Sequence, residues 1–485
     1  MWYQQVLKKS EMIEYCTDVS GCYVLRPSSY FIWERIQNAL DTRFKKKGVE
    51  NAYFPMFVTK AALEKEKSHV EGFKAEVAWV TRSGDTDLQE PIAIRPTSEA
   101  IMYPYYQKWI HSHRDLPLKL NQWSNIVRWE FKDPTPFIRT REFLWQEGHT
   151  AHATSAEADQ MVRDMLDIYA EVYEEYLAVP VIKGVKSEIE KFPGAFYTTS
   201  VETIIPANGR GVQAATSHQL GQNFSKMFEI TFESEECKKE FVWQTSWGFT
   251  TRSIGTMILM HGDDKGLVLP PRVAPTQVVI VPIHYNDKEK VMLLEKVKEF
   301  EKGLSDAEIR FKVDDRPLYT PGWKYNHWEL RGVPLRVEFG KKDYEAESVT
   351  LVRRDTGKKE SVKWVDLVKT VEKTLEIFQK ELLKNAEVAI KEMIITTTNW
   401  KDFMTAVNVR KSCRTPWCKK EECEEAVKEK SKAESQNYAK ADPTIMTGSV
   451  KTLNIPFDQP KLNPEDICFA CGAPAACWAL WGRSY

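Results

Sequence analysis

The chain has 485 residues, which is too long for one hydrophobic core and predicts about three domains. Its 42% hydrophobic and 28% charged residues are typical of an ordinary soluble globular protein. The longest apolar run, near 278–283, is too short for a membrane span, and residues 1–12 lack the apolar core of a signal peptide. The formal net charge of −1 excludes nucleic-acid binding through overall charge, so any such contact needs a local basic patch.

A helix is predicted over 29–47, where apolar residues recur at helical spacing from Ile32 to Phe44 and Gly48 ends the pattern. A strand is predicted over 51–57. Because Pro55 inside it cannot donate a ladder hydrogen bond, the strand should lie at a sheet edge or against a partner. Ordinary packing within one subunit is the simplest interpretation of both elements.

Residues 92–100 read as a strand that turns into a helix. Thr97 or Ser98 is placed to cap this helix, with Glu99 in its first turn. Further on, 154–157 has the pattern of a capping box, which predicts a helix to about Leu177.

Two strands joined by a long, proline-containing loop are predicted over 121–150. The guanidinium groups of Arg128 and Arg139 are suited to bidentate binding of phosphate or carboxylate oxygens. The alternative is a plain hairpin whose arginines pair only with the glutamates at 130, 142 and 147.

Two later stretches also suggest a polar cleft. Residues 209–221 are punctuated by glycines and rich in small polar groups, so His218 fits a cleft wall better than an isolated structural position. Residues 246–255 lead into an apolar helix that ends near His261, with Arg252 close to its beginning. A helix N-terminus favours anions, and Arg252 adds a full positive charge there.

The second half of the chain changes pattern after a proline-rich linker at 267–275. Alternating strands and helices from residue 276 predict a small mixed sheet covered by helices. Most of the nine cysteines lie between 413 and 477, which indicates metal binding in a reducing compartment rather than disulfides. Four thiolates suit zinc, but spacing alone does not choose between Cys413/Cys418 and Cys418/Cys423 as the first pair, and free thiols are the alternative.

These motifs together resemble a known family. R-W-E at 128–130 with R-T-R-E-F-L-W-Q-E-G-H-T at 139–150 resembles motif 2 of class II aminoacyl-tRNA synthetases, in its prolyl form. S-W-G-F-T-T-R at 246–252 resembles motif 3, the helix and strand at 29–57 resemble the motif 1 dimer interface, and G-W-K-Y-N-H-W-E at 322–329 resembles the anticodon-binding domain. Lys341-Lys342 stands where many relatives have Pro-Arg, so basic character is retained while individual anticodon contacts stay open.

The resemblance to prolyl-tRNA synthetases implies three domains. They are an α+β class II synthetase catalytic domain with an antiparallel sheet and helices (1–272), an α/β anticodon-binding domain (273–375) and a small α+β zinc-binding C-terminal domain (376–485). It also implies ATP-dependent activation of L-proline to prolyl-adenylate and transfer to the 3′ end of tRNA(Pro). The implied enzyme is a cytoplasmic homodimer without membrane association, which uses ATP with Mg²⁺ and holds a structural Zn²⁺.

The same resemblance implies site residues. Arg128 and Arg252 would be catalytic: Arg128 would bridge the proline carboxylate and the α-phosphate. Arg139 and Arg252 would hold the outer phosphates, and Phe143 with Arg252 would sandwich the adenine. The proline site would comprise Thr97, Glu99, Arg128, Trp145, Glu147, His218, Ser246 and Gly248. The ATP site would comprise Arg128, Glu130, Arg139, Thr140, Phe143, Gln213, Thr216, Thr250 and Arg252. The zinc ligands would be Cys418, Cys423, Cys468 and Cys471, and the terminal Tyr485 would reach toward the active site.

Three other interpretations compete with this one. They are a catalytically inactive paralogue that binds tRNA or regulates, a structural subunit of a synthetase assembly, and a threonyl enzyme. The last would need a metal in its catalytic domain, and 121–230 contains no cysteine. Glu130 and Arg252 are too close in sequence for the editing domain of bacterial-type relatives, which indicates the eukaryotic or archaeal type without its own editing site. The abrupt start at 1–3 suggests a piece of a longer chain.

Overall fold

The structure is a computed structural model that describes residues 2–69, 77–129, 133–441 and 446–485. Elements of the first part are α1 (Trp2–Lys9), β1 (Ile13–Tyr15), β2 (Tyr23–Leu25), α2 (Pro27–Lys46), β3 (Glu50–Asn51), β4 (Phe57–Thr59), α3 (Lys60–His69), β5 (Trp79–Ser83), β6 (Thr86–Ile94), α4 (Glu99–Trp109), β7 (Leu118–Val127), β8 (Glu142–His152), α5 (Ser155–Glu175), β9 (Ile182–Val185), β10 (Tyr197–Ile205), β11 (Arg210–Gly221), α6 (Asn223–Met227), β12 (Thr231–Glu233), β13 (Lys239–Phe241), β14 (Trp243–Thr250) and α7 (Arg252–His261).

The remaining elements follow without a break in numbering. They are β15 (Val278–Ile283), α8 (Asp287–Asp306), β16 (Phe311–Val313), α9 (Pro321–Leu330), β17 (Leu335–Gly340), α10 (Lys341–Glu345), β18 (Ser348–Arg353), β19 (Lys359–Lys363), α11 (Leu367–Met393), β20 (Ile394–Thr396), α12 (Trp400–Asn408), β21 (Ser412–Trp417), α13 (Glu421–Ala441), β22 (Lys451–Pro456) and β23 (Cys477–Ser484).

A sheet of eleven strands organises the molecule, in the order β20-β21-β23-β22-β9-β10-β11-β14-β8-β7-β3. The strands from β9 to β7 pair antiparallel, as expected for the catalytic part. The C-terminal strands are not a separate layer, because β22 pairs with β9 through Ile455 and Val185. The C-terminal part therefore extends the same sheet that carries the central strands.

Helices α2, α5 and α7 cover one face of this sheet and form the largest hydrophobic core. On β14, Phe249 points into that core, with its ring centroid 5.1 Å from that of Tyr173 on α5. Trp247 packs beside Phe44 at 4.9 Å, and a Cβ on Gly148 would lie 2.1 Å from its indole ring, so only glycine fits there. With one face of each strand buried in this way, the alternate side chains face the opposite side of the sheet.

The mixed α/β pattern predicted from residue 276 is confirmed. β15 pairs parallel with β16 and β17, whereas β17, β18 and β19 pair antiparallel, and α8, α9 and α11 accompany the sheet. An ion pair joins this part to the catalytic part, since Arg354 donates to both carboxylate oxygens of Asp263 at 2.6 and 2.7 Å. The expected domain boundary at residue 375 lies inside α11, which continues to Met393.

Several local predictions are confirmed and two are wrong. The long helix begins at Pro27, and Thr154 and Glu157 form the predicted capping box of α5. The strand predicted over 51–57 is wrong in length: β3 is at the sheet edge but ends at Asn51, and Pro55 lies in irregular backbone. The cap predicted for α4 is also wrong, because the Ser98 hydroxyl donates to Glu147 instead of accepting from the helix.

Candidate active site

A cavity of about 460 Å³ opens on the face of the sheet opposite α5, and we call it the main cavity. It lies beside β8, β11 and β14 and the start of α7. The predicted site residues that line it are Thr97, Glu99, Arg128, Thr140, Phe143, Trp145, Glu147, Gln213, Thr216, His218, Ser246, Gly248, Thr250 and Arg252. The structure thus brings together positions that are up to 155 residues apart in sequence.

Strand alternation explains how the sequence builds this wall. On β8, every second residue from Phe143 to His149 lines the main cavity, and on β14 the same holds from Ser246 to Thr250. The register pairs His218 of β11 with Ser246 of β14, and Gly248 with Glu147 of β8. Polar groups from three neighbouring strands therefore converge on one face.

Two arginines approach the cavity from different elements. Arg128, just after β7, donates from Nε to the Pro96 carbonyl at 3.1 Å, and its guanidinium carbon is 5.5 Å from the ring centroid of Trp145. Arg252 is the first residue of α7, and it donates to the carbonyls of Ile138 at 3.1 Å and Gln213 at 3.2 Å. Burial lowers the pKa of Arg252, with Tyr173 acting in the opposite direction and the nearby Arg128 and Arg139 adding to the decrease. An incoming anion would relieve this crowding of positive charge.

A buried carboxylate network forms the opposite end. Glu147 accepts hydrogen bonds from Ser98 and from Gln122, the latter at 2.9 Å, and its Oε2 lies 3.2 Å from Nε2 of His149. Burial opposes the charge on Glu147, but the bond with His149 and those from Ser98 and Gln122 outweigh it and lower the pKa. Burial likewise opposes protonation of His149, yet the bond with Glu147 and the charge of Glu99 raise its pKa. Both shifts favour the charged forms of these two side chains.

His218 has a different environment on the same wall. Its Nδ1 lies 2.9 Å from the hydroxyl of Thr198, and the ring centroid of Phe192 is 4.8 Å away. Burial, and secondarily the charge of His149, lowers the pKa of His218 to about 3. The imidazole is thus neutral near pH 7 and offers a hydrogen bond without a charge.

Sequence reasoning missed several residues of the main cavity. His149 was detectable, because it lies two residues after Glu147 and so faces the same side of the strand. Phe192 and Thr198 come from the segment before β10 and the start of that strand, and no local pattern distinguished them. Their position depends on the pairing of β10 with β11, which places Thr198 opposite His218.

One of the predicted ATP residues does not line the main cavity. Arg139 lines a neighbouring cavity of about 110 Å³, which we call the rear cavity. The rear cavity shares Ile138, Gln213 and Arg252 with the main one, and the terminal Tyr485 also lines it. Glu130 lies outside the described residues.

The cysteine pattern resolves into one group. Cys418, Cys423, Cys468 and Cys471 place their sulfur atoms within 4.8 Å of one another, with Cys423–Cys468 at 3.7 Å and Cys418–Cys471 at 3.6 Å. Tetrahedral zinc with sulfur at about 2.3 Å gives sulfur–sulfur separations of about 3.8 Å, so this set fits the ion. Cys413 and Cys477 donate instead to the carbonyls of Phe403 and Trp417. The four-cysteine cluster could therefore hold zinc.

Comparison with known proteins adds independent findings. Residues 76–261 match the tRNA synthetase class II core domain (G, H, P, S and T), and 277–374 match the anticodon binding domain. Residues 400–485 match the C-terminal domain of prolyl-tRNA synthetase. The chain is 55% identical over 484 residues to the cytoplasmic proline–tRNA ligase of Arabidopsis thaliana, covering 100% of this chain and 89% of that protein. The chain belongs to the prolyl-tRNA synthetase family.

Other relatives agree with this assignment. Identity to the proline–tRNA ligase of Encephalitozoon cuniculi is 46%, over 100% of this chain and 96% of the relative. The crystal structure of prolyl-tRNA synthetase from Cryptosporidium parvum, complexed with halofuginone and AMPPNP, superposes with a TM-score of 0.93 at 55% identity, covering 100% of this chain and 97% of that one. The chain is a proline–tRNA ligase, which activates proline with ATP and charges tRNA. The threonyl alternative is therefore wrong.

The three-part fold expected from the sequence is confirmed as a class II synthetase core, an anticodon-binding domain and a prolyl-tRNA synthetase C-terminal domain. Among the residues that the structure describes, none of the helices combines the length and apolar character that a membrane crossing requires.

Proposed function

We propose that the main cavity holds L-proline and ATP side by side, with Arg128 between them. The observation that carries this proposal is the position of the Arg128 guanidinium, which lies over both Trp145 at 5.5 Å and Phe143 at 5.7 Å. The proline end would be at Trp145, near the carboxylates, and the nucleotide end at Phe143, toward Arg252. Arg128 would then contact the proline carboxylate and the α-phosphate of ATP together.

The reaction in this arrangement needs no side-chain nucleophile. The proline carboxylate attacks the α-phosphorus of ATP, the bond to the β-phosphate oxygen breaks, and pyrophosphate leaves with that electron pair. The protein contributes alignment of the two anions and fixed positive charge near the reacting oxygens. Arg128 and Arg252 would supply that charge. In the second step the 3′ hydroxyl of tRNA(Pro) attacks the adenylate carbonyl, the bond from that carbonyl carbon to the phosphate oxygen breaks, and AMP leaves with the electron pair.

The ATP contacts divide between both cavities. Arg252 and Arg139 would hold the outer phosphates, and Phe143 with Arg252 would enclose the adenine. Thr140, Gln213, Thr216 and Thr250 offer hydroxyl and amide groups along the same wall. Gln213 and Thr216 would lie beside the Mg²⁺ that accompanies ATP, and that ion supplies further positive charge to the phosphates. Glu130 would orient Arg128 or contact the adenine base.

The proline contacts follow from the buried charges. Glu99 would meet the secondary ammonium of proline, with Thr97, whose hydroxyl donates to Glu99, holding that carboxylate. Glu147, which is ion-paired with His149, would add negative charge to the same end. Trp145 and neutral His218 would enclose the apolar ring, and Ser246 and Gly248 would form the floor of the site. This arrangement matches proline, because its cationic amine would lie beside buried carboxylates and its apolar ring beside aromatic groups.

Zinc in the four-cysteine cluster would be structural. It would join the loop before α13 and the first turn of that helix to the Cys468–Cys471 turn, and no part of the reaction passes through it. tRNA(Pro) would bind by its acceptor end at the main cavity and by its anticodon at residues 273–375. The three domains are proposed as 1–272, 273–375 and 376–485, with α11 continuing across the second boundary.

We propose a homodimer whose interface lies at the β3 edge of the sheet rather than on the apolar face of α2. The apolar side chains of α2 that were expected at the interface, such as Ile32 and Ile36, are fully buried within the subunit. The aromatic residues near the β3 edge remain exposed, with Tyr53 74% and Trp109 47% accessible. A second copy would cover this edge and these aromatics.

We also place the enzyme in the cytoplasm, as the name of the plant relative states for that protein.

ATP–pyrophosphate exchange with each of the twenty amino acids tests the proposal for the main cavity. We expect exchange with proline to exceed that with the other amino acids in wild type. Arg128→Ala should remove most of it without loss of folded structure. Normal exchange in a folded Arg128→Ala protein would contradict the proposed position of the substrates.

A further inference from the structure

A buried ion pair lies behind Arg252, outside the main cavity. Nζ of Lys186 is 2.9 Å from Oε1 of Glu202, and the two side chains are only 3% and 2% accessible. Lys186 also donates to the main-chain carbonyl of Leu453 at 2.6 Å. Leu453 is on β22, so the C-terminal part of the chain supplies a hydrogen-bond acceptor for this lysine.

Glu202 lies close to the residue that holds Arg252. In the β10–β11 register Glu202 is directly opposite Gln213, and the Gln213 carbonyl accepts a hydrogen bond from Arg252 at 3.2 Å. Glu202 and Arg252 both line the rear cavity. The negative charge of Glu202 also acts on Arg252 and favours its protonated form. The carboxylate is therefore near the guanidinium but is paired with another cation.

A buried carboxylate without a partner is unfavourable, so it would recruit any cation within reach. Removing the Lys186 ammonium would leave Glu202 facing the rear cavity, where Arg252 is present. A guanidinium pairs well with a carboxylate through two parallel hydrogen bonds. Glu202 would then compete with the phosphates of ATP for the guanidinium of Arg252.

We propose that Lys186 is a positioning residue for the ATP reaction: by pairing with Glu202, it keeps that carboxylate from capturing Arg252. Arg252 is thereby left to the phosphates. The Leu453 carbonyl holds Lys186 in place, so β22 contributes to the active site without touching a substrate. This inference rests on the proposed role of Arg252 in binding ATP.

A purely structural ion pair makes a different prediction. If the pair were purely structural, loss of either partner would lower the stability of the protein. Removal of both charges would restore that stability and would not affect the KM for ATP. A positioning role predicts a specific effect on the KM for ATP, and it predicts that the effect depends on Glu202. The two roles can therefore be separated with Lys186→Met, Glu202→Gln and the double variant.

The experiment measures the KM for ATP and for proline in pyrophosphate exchange, together with thermal unfolding. In Lys186→Met we expect the KM for ATP to rise about tenfold or more, the scale of one hydrogen bond to a charged group, with the KM for proline nearly unchanged. Adding Glu202→Gln should return the KM for ATP to within about threefold of wild type, because the competing carboxylate is gone. Glu202→Gln alone should not raise it.

Asn454→Ala is the matched control. Its side chain donates to the Ile182 carbonyl at 2.9 Å, so it joins β22 to β9, the strand that ends just before Lys186, without bringing a charge near Arg252. The KM for ATP should not change in this variant even if the unfolding temperature falls.

Several results would overturn the proposal. They are an unchanged KM for ATP in folded Lys186→Met, a double variant as impaired as the single one, or a rise in Glu202→Gln alone. The KM for ATP of Glu202→Gln alone keeps the proposal testable if Lys186→Met does not fold. Arg252→Ala, measured in parallel, separates the two levels of the account. If it loses exchange while Lys186→Met behaves as wild type, only this inference fails; if it retains exchange, the proposed role of Arg252 fails.

Discussion

Oε2 of Glu147 and Nε2 of His149 lie 3.2 Å apart on the cavity face of β8, and the two side chains are 3% and 1% accessible. Each stabilises the charged form of the other. The pKa of Glu147 is lowered although burial opposes its ionisation, and the pKa of His149 is raised although burial opposes its protonation. The amino-acid end of the site thus depends on a charge pair, only one member of which was expected from the sequence.

This pair gives a prediction with a defined sign. The contribution of Glu147 to stability is present above its ordinary pKa of 4.5 and is lost as pH falls through the lowered folded value. That of His149 is fully present below its ordinary pKa of 6.5 and is lost as pH rises through the raised folded value. In His149→Phe, Glu147 loses the hydrogen bond that contributes most to lowering its pKa, while burial still acts on it. The pKa of Glu147 should therefore rise. The KM for proline should then increase at acidic pH.

The measurement is the KM for proline in pyrophosphate exchange between about pH 5.5 and 8, the range around the ordinary pKa of histidine. His149→Phe should move the acidic limb of the profile to higher pH. His152→Phe is the control, because this second histidine of β8 does not line the main cavity and burial lowers its pKa to about 4. Identical profiles for wild type and His149→Phe would show that Glu147 does not act on proline in its charged form.

The four-cysteine cluster predicts one zinc ion per chain. Cys468→Ser should lose the metal, because a hydroxyl is a poor replacement for a thiolate ligand. Cys477→Ser should keep it, since that sulfur belongs to a different contact. Metal loss should loosen the part after residue 400 and leave the catalytic part folded. Elemental analysis with thermal unfolding checks both statements, and full zinc content in Cys468→Ser would show that the ligand set is wrong.

Selectivity should be limited by the chemistry of proline. The ring offers no polar side-chain group, and a hydrophobic pocket rejects a smaller substrate by only about 1–3 kcal/mol per missing methylene. Alanine and cysteine should therefore support measurable pyrophosphate exchange at high concentration, well below the rate with proline. We also expect that the chain does not deacylate alanyl-tRNA of the proline type. Hydrolysis clearly faster than in buffer would reveal an editing site.

The proposed dimer predicts a concentration-dependent mass. Sedimentation at micromolar concentration should give twice the mass of the chain, and Tyr53→Glu should weaken that association because it places a charge in the covered aromatic surface. Tyr285→Glu is a suitable control: Tyr285 is 89% accessible and follows the first strand of the anticodon-binding domain. A fully active monomer would exclude the dimer as the working form.

Local patterns predicted much of this molecule. The strands and loop of motif 2, the capping box of α5 and the position of Arg252 at a helix start all depend on residues close in sequence. The errors arose where a side chain had a distant partner. Ser98 does not cap α4 because its hydroxyl donates to Glu147, and the backbone at Phe54 leaves the sheet and donates to the side chain of Gln122 at 2.6 Å.

Longer-range features could not be derived from local patterns and spacing alone. The choice of Cys418 and Cys423 over Cys413 depends on where β21 ends and α13 begins. The Lys186–Glu202 pair and its contact with Leu453 depend on the pairing of β9 with β10 and on the pairing of β22 with β9. Charged residues at such positions look like ordinary surface residues until the sheet is assembled.

The most direct test of the central claim is proline-dependent ATP–pyrophosphate exchange by Arg128→Ala and Arg252→Ala. Each should lower adenylate formation by at least about a hundredfold, the scale of losing one electrostatic stabiliser of the transition state. Arg82→Ala serves as the control, because this exposed arginine pairs with Asp87 at 2.7 Å and does not line either cavity. The account predicts near-wild-type exchange for the control and loss for the other two, whereas near-wild-type exchange in folded Arg128→Ala or Arg252→Ala would contradict it.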